Sequence, residues 1–410
     1  MPGPRNFENF IDAYLAYAND SFTPEKFNLW SGLSAVAGAL ERKVWLPWSD
    51  TFSYFPNIYV LLVALPGVGK STALNKSIGL LQDMDRTKGN LKLIPSQVTE
   101  AKFIELMGYS APFEIGTRVY NQSAGYYWAS EASNSLRNIY GDFTACLTDF
   151  YDCPPFWEKA TLKDDKITLT NVCLNLIAGS TFDYLGKLVT TDNIMGGFAS
   201  RLIYVVHRDK MIRNQQFQLG GSKKDEARKD YRVKLIQDLQ QIHEMVGPFR
   251  ATQEFGDAWE AWYPAYEEMR QSQKSEKMQS LLARANTNVM KLAMLFSACE
   301  SNDRILKINH WDRAITLIEE CGREIPMIFR EAQAGDTSSQ AGLNQAILKF
   351  MDKKTLPISQ LKMHLLTSGF PAAKIDASLN YMMTNGGLKA VGDSALGLTV
   401  KLLLNPNDHV

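Results

Sequence analysis

Residues 56–72 read Pro56-Asn57-Ile58-Tyr59-Val60-Leu61-Leu62-Val63-Ala64-Leu65-Pro66-Gly67-Val68-Gly69-Lys70-Ser71-Thr72. The run Ile58–Val63 is apolar and rich in β-prone residues, so it predicts a strand buried on both faces. Gly67 and Gly69 favour a turn after this strand. A helix is then predicted from Ser71. The stretch therefore predicts a strand, a glycine-containing loop and a helix, in that order.

This order is typical of a loop that binds the phosphates of a nucleotide, because backbone N–H groups and the positive end of the helix dipole point into it. Lys70 would reach the β- and γ-phosphates of ATP, and the Ser71 hydroxyl would bind Mg²⁺. Ala64 replaces the first glycine of the motif G-x-x-x-x-G-K-[ST], at the strand end, where a methyl group is easier to fit. The alternative is a glycine-rich turn with a chance lysine. The residues predicted to bind the nucleotide are Pro66, Gly67, Val68, Gly69, Lys70, Ser71 and Thr72.

Size and composition are those of an ordinary globular protein. The chain has 410 residues, enough for two or three domains. Lys+Arg and Asp+Glu both total 44, so any DNA contacts would be local rather than spread over a basic surface. The five scattered cysteines and five histidines predict neither a zinc site nor a disulfide framework. Without a signal pattern or a long apolar run, we expect a soluble protein of bacterial or phage-infected cytoplasm with no membrane contact.

Strand and helix patterns alternate along the chain and predict a three-layer α/β core. Residues 1–50 predict two helices and a short strand, which form a helical collar on this core. The core is predicted over 51–215, and 216–333 is predicted to be helical. An aromatic stripe in that helical segment is interpreted as core rather than as a ligand site. The small, polar stretch 334–340 is the best candidate for a linker.

Glu131 is the candidate catalytic carboxylate. Strands are predicted over 113–120 and 125–129, and Glu131 follows the second. There it could orient the water that attacks the γ-phosphate. The preceding residue, which usually supplies a second acid near the metal, is Ser130, so Mg²⁺ would rest on Ser71, the phosphates and water. The alternative is an ordinary acid at a helix start, stabilised by the helix dipole.

The order of these elements resembles that of the AAA+ ATPases, particularly the replicative helicases and primase-helicases of phages and mobile elements. The resemblance covers residues 24–330. It rests on Pro56-Asn57, the phosphate loop, Thr99-Glu100-Ala101, Glu131, Gly179-Ser180-Thr181 and Gly197-Phe198-Ala199-Ser200-Arg201-Leu202. It implies that 216–333 is a lid and that subunits form a ring, most simply a hexamer. A RecA-like core is the alternative, and the helical segment after Arg201 favours AAA+.

The resemblance also implies roles for residues outside the loop. Ser180 or Thr181 would sense the γ-phosphate from a strand end. Arg201 would act on the nucleotide of the neighbouring subunit, so that hydrolysis depends on assembly. Arg284 of the lid would reach back to the phosphates, with Lys291 as a weaker candidate. For Arg201, the alternative is a salt-bridged arginine at a strand edge.

A β-hairpin is predicted between residues 156 and 170, around a turn at 163–165. Helicases of superfamily 3, which the chain resembles, carry a hairpin here whose basic tip grips DNA in the central pore. The residues that would contact DNA are Lys159, Lys163 and Lys166. A turn rich in Lys and Asp is also typical of any exposed hairpin, so this interpretation stays open.

Residues 342–410 predict a winged helix, with three helices followed by two short strands around 386–387 and 392–393. Its lysines outnumber its aspartates. Winged helices often bind duplex DNA but also serve as protein contacts, so both roles remain possible.

Together these features predict an ATP-driven DNA helicase or translocase. It would act in phage or mobile-element DNA replication as a ring-shaped oligomer on single-stranded or forked DNA. The second hypothesis is a nucleotide-switched loader or clamp protein, which passes another helicase or nuclease to DNA without unwinding it. We find no acid pair with zinc-ribbon cysteines, so any primase would be a separate polypeptide.

Overall fold

The chain folds into two compact units. The computed structural model describes residues 3–19, 23–88, 91–108, 112–132, 142–159, 166–182, 184–185, 197–209, 223–335, 340–351, 355–368, 370–384, 388–394 and 397–402. The first unit comprises residues 1–181 and 192–325, and the second comprises 182–191 and 326–410. The predicted collar, the predicted core and most of the predicted lid therefore share one unit.

The first unit alternates short strands with helices. In chain order its elements are α1 (Phe10–Ala18), α2 (Glu25–Leu40), β1 (Val44–Pro47), β2 (Ser53–Tyr54), β3 (Tyr59–Ala64), α3 (Lys70–Lys88), β4 (Leu93–Ile94), α4 (Glu100–Met107), β5 (Phe113–Ile115), β6 (Arg118–Tyr120), β7 (Ser123–Ala129), α5 (Asp142–Tyr151), β8 (Phe156–Lys159), β9 (Ile167–Thr170), β10 (Val172–Ser180), α6 (Phe198–Arg201), β11 (Leu202–His207), α7 (Lys223–His243), β12 (Gly247–Pro248), β13 (Arg250–Ala251), α8 (Gln253–Gln271), α9 (Glu276–Leu282), α10 (Ala285–Glu300), β14 (Ile305–Leu306) and α11 (Ile308–Gly335), the last of which continues into the second unit.

The first unit is organised around a five-stranded parallel sheet in the order β11-β3-β10-β7-β4. The strand before the glycine loop, β3, is therefore internal, between β10 and β11. All six of its residues are buried, as the apolar run predicts. Because the strands are parallel, their carboxyl ends lie along one edge of the sheet and their amino ends along the other.

Helices cover both faces of this sheet. Alternate residues of β3 point to opposite faces, so the contacts of this one strand show the packing on each face. On one side, Val60 and Leu62 join a hydrophobic cluster with α2, α3, α7 and α10. On the other side, the Tyr59 ring packs edge-on against Tyr151 of α5, with 5.1 Å between centroids. The Tyr59 hydroxyl also donates a hydrogen bond to the Leu147 carbonyl oxygen at 2.7 Å. The arrangement agrees with the predicted three-layer α/β fold.

Local signals predict some boundaries well and others badly. Thr99, a residue type that favours the N-cap position, caps α4, with its hydroxyl accepting a hydrogen bond from the Lys102 N–H at 3.4 Å. The strand predicted over 113–120 is wrong, because the chain reverses at Gly116, where φ is 62°. β5 and β6 therefore pair as an antiparallel hairpin. A glycine adopts this left-handed conformation without steric cost, so a single residue divides what looks like one strand.

The second unit has a small core of its own. Its elements are α12 (Gln340–Met351), β15 (Thr355–Pro357), α13 (Ile358–Thr367), α14 (Ala372–Thr384), β16 (Leu388–Ser394) and β17 (Gly397–Leu402). β17 lies between β15 and β16 in an antiparallel sheet. Leu361, Leu379 and Val400 are buried together between the helices and this sheet.

The strands of the second unit differ from the prediction. β15 was not foreseen, because its three residues are too few to show an alternating pattern. The predicted strand around 386–387 lies outside the described residues. The one around 392–393 falls inside β16, where the pairing register shifts between Ala390 and Gly392. A glycine at such a bulge resembles a turn in the sequence. Among the helices that the structure describes, none combines the length and apolar character needed to span a bilayer.

Candidate functional site

The loop after β3 turns through two glycines with positive φ. The φ angles of Gly67 and Gly69 are 82° and 88°, in the left-handed region that residues with a side chain rarely adopt. Lys70 is the first residue of α3, and the Ala73 N–H donates to the Gly69 carbonyl oxygen at 3.1 Å. The helix therefore starts directly from the loop, and its first N–H groups, which have no acceptor within the helix, lie at the loop. Both the loop and the helix N-terminus suit an anion.

The Lys70 side chain is folded back over the end of β3. Its Nζ donates hydrogen bonds to the carbonyl oxygens of Ala64 at 2.8 Å and Leu65 at 3.2 Å, and the residue is only 5% exposed. Burial lowers the pKa of the Lys70 amine, and the nearby Glu131 carboxylate acts in the opposite direction. The Glu131 carboxylate thus lies near enough to act on the Lys70 amine.

The strand register brings the predicted site residues to one level. Ser180 at the end of β10 pairs with Val63 of β3, and Ala178 pairs with Ala129 at the end of β7. Glu131 follows two residues beyond Ala129, so it lies past the carboxyl end of β7. Ala178 pairs with Leu61 of β3 on one side and with Ala129 of β7 on the other, and because neighbouring strands are about 4.8 Å apart, the backbones of Leu61 and Ala129 are about 10 Å apart across β10. The carboxyl ends of β3, β10 and β7 therefore form one edge around the loop.

Gly179 permits the close approach of these strand ends. A Cβ atom at this position would lie closer than 3.0 Å to the Ser130 carbonyl oxygen and 3.6 Å from the Lys70 Cβ. The first of these neighbours is a backbone atom, which cannot move without displacing the end of β7. The sequence offered Gly179 only as part of the family resemblance, since the need for a glycine comes from a strand about 50 residues earlier in the chain.

The two predicted γ-phosphate sensors differ in accessibility. Ser180 is fully buried, and its hydroxyl donates to the Thr181 carbonyl oxygen at 3.2 Å. Thr181 is half-buried and more accessible than Ser180. Ser71 is exposed at the start of α3, where a metal held by nucleotide phosphates could reach its hydroxyl. In the part of the chain that the structure describes, no group of three or more His, Cys, Asp or Glu could hold a metal by itself.

Arg201 lies at the opposite edge of the sheet from the loop. It directly precedes β11, where Leu202 pairs with Tyr59 and His207 pairs with Ala64. With a rise of about 3.3 Å per residue, the Arg201 backbone is about 20 Å from the level of Ala64. Arg201 is therefore remote from the loop of its own chain.

Asp152 holds both predicted arginines. The Arg201 guanidinium is 7% exposed, forms an ion pair with Asp152 and donates to the Gly197 carbonyl oxygen at 2.9 Å. The Arg284 Nη1 lies 3.8 Å from the other Asp152 carboxylate oxygen. Within a single chain Arg201 is thus a salt-bridged arginine, which was the alternative interpretation of this residue. Arg284 does not reach back to the loop as predicted, because its ion-pair partner lies at the far edge of the sheet.

Lys291 belongs to the same far edge. Its Nζ donates to the Oδ1 of Asn57, the residue two before β3, at 2.7 Å, and lies 3.9 Å from the centroid of the Tyr151 ring. Burial lowers the pKa of the Lys291 amine to about 8. The described contacts of Lys291 therefore do not include the phosphate loop either.

The predicted hairpin forms, with β8 and β9 paired antiparallel from Phe156 opposite Thr170 to Lys159 opposite Ile167. Lys163 and its turn lie outside the described residues. Lys159 forms an ion pair with Glu100, and the Lys166 Nζ lies 2.8 Å from Glu158. Both described lysines are therefore beside a carboxylate.

The geometry places a glycine-containing loop, a buried lysine and a carboxylate at one sheet edge, and two arginines on one aspartate at the other. Asp152 was missed by sequence reasoning, because no local motif marks it and its partners are distant in the chain. No protein-family model matches the chain, and no curated protein matches it. The interpretation of the site therefore rests on its own residues.

Proposed function

We propose that this chain is a P-loop ATPase of the AAA+ type that acts on DNA. The observation that carries the proposal is the position of Lys70, which starts a helix directly after Gly67 and Gly69 and lies within electrostatic reach of Glu131. Residues 66–72 would bind the phosphates of ATP. The proposed architecture is a P-loop core with a helical collar and lid in the first unit and a winged helix in the second.

Strand order supports a ligand at this edge. In the order β11-β3-β10-β7-β4, the connection that follows β3 runs to β4 at one end of the sheet. The connection that follows the neighbouring strand β10 runs to β11 at the opposite end. In open parallel sheets, ligands bind outside the carboxyl ends of strands at such a reversal. The loop and Thr181 flank this crevice.

Each residue would have a distinct role. Lys70 would exchange its two carbonyl partners for oxygens of the β- and γ-phosphates, whose charge a lysine neutralises. Ser71 would provide a hydroxyl to the Mg²⁺ that arrives with the nucleotide. Glu131 would orient the attacking water, and Thr181 would contact the γ-phosphate.

Arg201 would act across a subunit interface. An arginine about 20 Å from its own loop can serve catalysis only at a neighbour's nucleotide, and a guanidinium there stabilises the charge that develops in phosphoryl transfer. The Asp152 side chain is 46% exposed and that of Arg284 is 33% exposed, so this cluster extends to the surface of the first unit. A ring, most simply a hexamer, would then be the active form.

The DNA role would involve the second unit and the hairpin of β8 and β9. The second unit has the order helix, strand, two helices and hairpin that a winged helix requires. The alternative is a nucleotide-switched loader that does not unwind DNA itself. The ion pairs of Lys159 and Lys166 favour it, because both of these hairpin lysines are already paired with carboxylates. Unwinding of a forked duplex by the purified protein alone distinguishes the two.

The experiment that tests the ATPase compares Glu131→Gln with Lys70→Ala. Glu131→Gln should bind ATP as the wild type does but lose at least about 100-fold in turnover, because water positioning by a general base contributes on this order. Lys70→Ala should lose nucleotide binding as well. Binding is measured with a fluorescent ATP analogue and turnover by phosphate release. Wild-type turnover in Glu131→Gln would remove Glu131 from the mechanism.

A further inference from the structure

A cleft of about 380 Å³ lies between β1, β13 and α8, and it shares no residue with the phosphate loop. Its volume falls in the range of sites that bind small ligands or single side chains. Most of its lining is apolar or aromatic, and two charged residues, Arg250 and Glu260, also line it. The main apolar residues of the lining are Trp48, Phe249, Phe255, Trp259 and Met290.

Aromatic rings continue from this cleft across the surface. The Trp48 and Trp259 centroids are 5.2 Å apart, and the Trp259 ring stacks on Tyr263 at 5.0 Å. On the other side, Trp48 contacts Tyr54, which contacts Phe52. Trp48 and Phe52 are 46% and 47% exposed. The aromatic stripe of α8, predicted as core, is thus only half-buried, and Phe255 is the one buried residue of that helix.

Gly256 keeps the cleft open. It lines the cleft from within α8, and a Cβ atom added there would meet no atom within 4 Å. By contrast, a Cβ at Gly32 of α2 would lie 2.5 Å from the Tyr14 ring, so packing within the protein requires that glycine. Glycine in a helix interior is unfavourable relative to alanine. At Gly256 no described neighbour lies near enough to require it, so a larger side chain at this position can extend into the cleft.

Charge distinguishes between the possible occupants. Glu254, Asp257 and Glu260 are exposed on α8, and Asp50 is exposed in the turn after Trp48. Among the described residues that line the cleft, Arg250 is the one cation. Nucleic acids bind stacking platforms within basic grooves, so this acidic surface disfavours them. It favours an occupant that carries positive charge.

We propose that this cleft binds an extended, proline-containing segment of a partner protein, with an apolar ring against Trp48 and Trp259 and a basic residue near Glu260. Grooves lined by aromatic rings recognise extended proline-rich segments, because such segments are already ordered before they bind. A lysine or arginine beside these rings would gain a cation–π contact as well. The inference does not depend on the proposed ATPase activity.

The test uses the full chain and a random linear dodecapeptide library displayed on phage. Peptides enriched on the wild type should combine proline with arginine or lysine. In Gly256→Leu the new side chain fills the cleft, and affinity for the synthesised peptides should fall at least tenfold by calorimetry. The matched control is Gly322→Leu, because Gly322 is also a helix glycine whose added Cβ would meet no atom within 4 Å. It should bind peptides as the wild type does.

Folding cannot explain the expected difference, because leucine favours helix over glycine at both positions. Melting temperatures of the two variants should equal or exceed that of the wild type. The proposal is overturned if no peptide is enriched, if the enriched peptides are acidic, or if Gly256→Leu binds them unchanged. It is also overturned if twelve-residue oligothymidylate binds the wild type and loses that binding in Gly256→Leu, since the cleft would then be a nucleic-acid site.

Discussion

At Gly179, the carbonyl oxygen of Ser130 occupies the space where a side chain would begin. A methyl group there would push the end of β7 away from β10, and Glu131 follows that end directly. The Lys70 Cβ is the next neighbour, so the same methyl group would also disturb the lysine. One glycine thus links the packing of the sheet to the geometry of the proposed site.

We therefore expect Gly179→Ala to lower both stability and ATP turnover. Overpacking of a buried site costs about 1–3 kcal/mol, and a backbone neighbour leaves little room for relief. Gly322→Ala is the control, because its methyl group meets open space in α11 and should leave the melting temperature equal or higher. Thermal unfolding and phosphate release measure the two effects. Normal stability and turnover in Gly179→Ala would contradict the contact.

Lys291 is a buried amine whose pKa is lowered to about 8 by desolvation. In the unfolded chain its pKa returns to about 10.4, so between these values the unfolded state binds more protons than the folded state. The contribution of Lys291 to the free energy of unfolding therefore rises as the pH increases through that window. The wild type should gain about 2 kcal/mol relative to Lys291→Met between pH 8 and pH 10, since each pKa unit corresponds to about 1.4 kcal/mol.

Urea unfolding of both proteins at several pH values measures this difference. The comparison with Lys291→Met cancels the titration of groups remote from this residue. Cys153 and Cys173, on whose pKa values the Lys291 charge has a lowering effect, contribute to the measured difference. Loss of the hydrogen bond to Asn57 in the variant is a constant offset that does not vary with pH. Parallel pH profiles for the two proteins would show that Lys291 is charged throughout this range.

A sequence motif can select residues that lie next to one another in the chain. Lys70, Ser71 and the two loop glycines follow one another in the chain, so a motif reveals them. Asp152 and Arg284 could not be assigned in this way, because their ion pairs join elements far apart in sequence. Only the family resemblance predicts that Arg284 contacts the phosphates, and its observed partner is Asp152.

At the scale of elements, the hairpin of β8 and β9 and the hairpin of β5 and β6 illustrate what patterns can predict. The first was predicted because a polar turn separates two β-prone runs. The second was missed because its turn contains one glycine and no other break. Short strands such as β15 and β4 carry too few residues for any periodic signal.

The hairpin lysines test whether this element contacts DNA. Changing Lys163 and Lys166 together to alanine should reduce the slope of log affinity against log salt by up to about 1.4 per subunit on single-stranded DNA, because each phosphate contact contributes about 0.7. Lys102→Ala is the control, since Lys102 is also paired with a carboxylate, at Glu105, but lies on α4. Fluorescence anisotropy over a salt series gives the slope. An unchanged slope would exclude these lysines from DNA contact.

At the scale of the whole molecule, the segments predicted as collar and core and most of the segment predicted as lid belong to one compact unit. α1 and α2 share one hydrophobic cluster with β3, α7 and α10, and this cluster joins segments from both ends of the first unit. Composition gives no sign of such long-range contacts. The predicted linker at 334–340 falls partly outside the described residues, and the first unit ends earlier, at residue 325.

The central claim is that the loop at Lys70 binds ATP whose hydrolysis needs Arg201 of a neighbouring subunit. Its most direct test mixes Lys70→Ala with Arg201→Ala subunits and measures ATP turnover with Mg²⁺ and DNA. Each variant alone should be inactive. The equimolar mixture should recover activity at about a quarter of its interfaces, where an intact loop faces an intact arginine. A mixture as inactive as its two components would contradict a role for Arg201 across the interface.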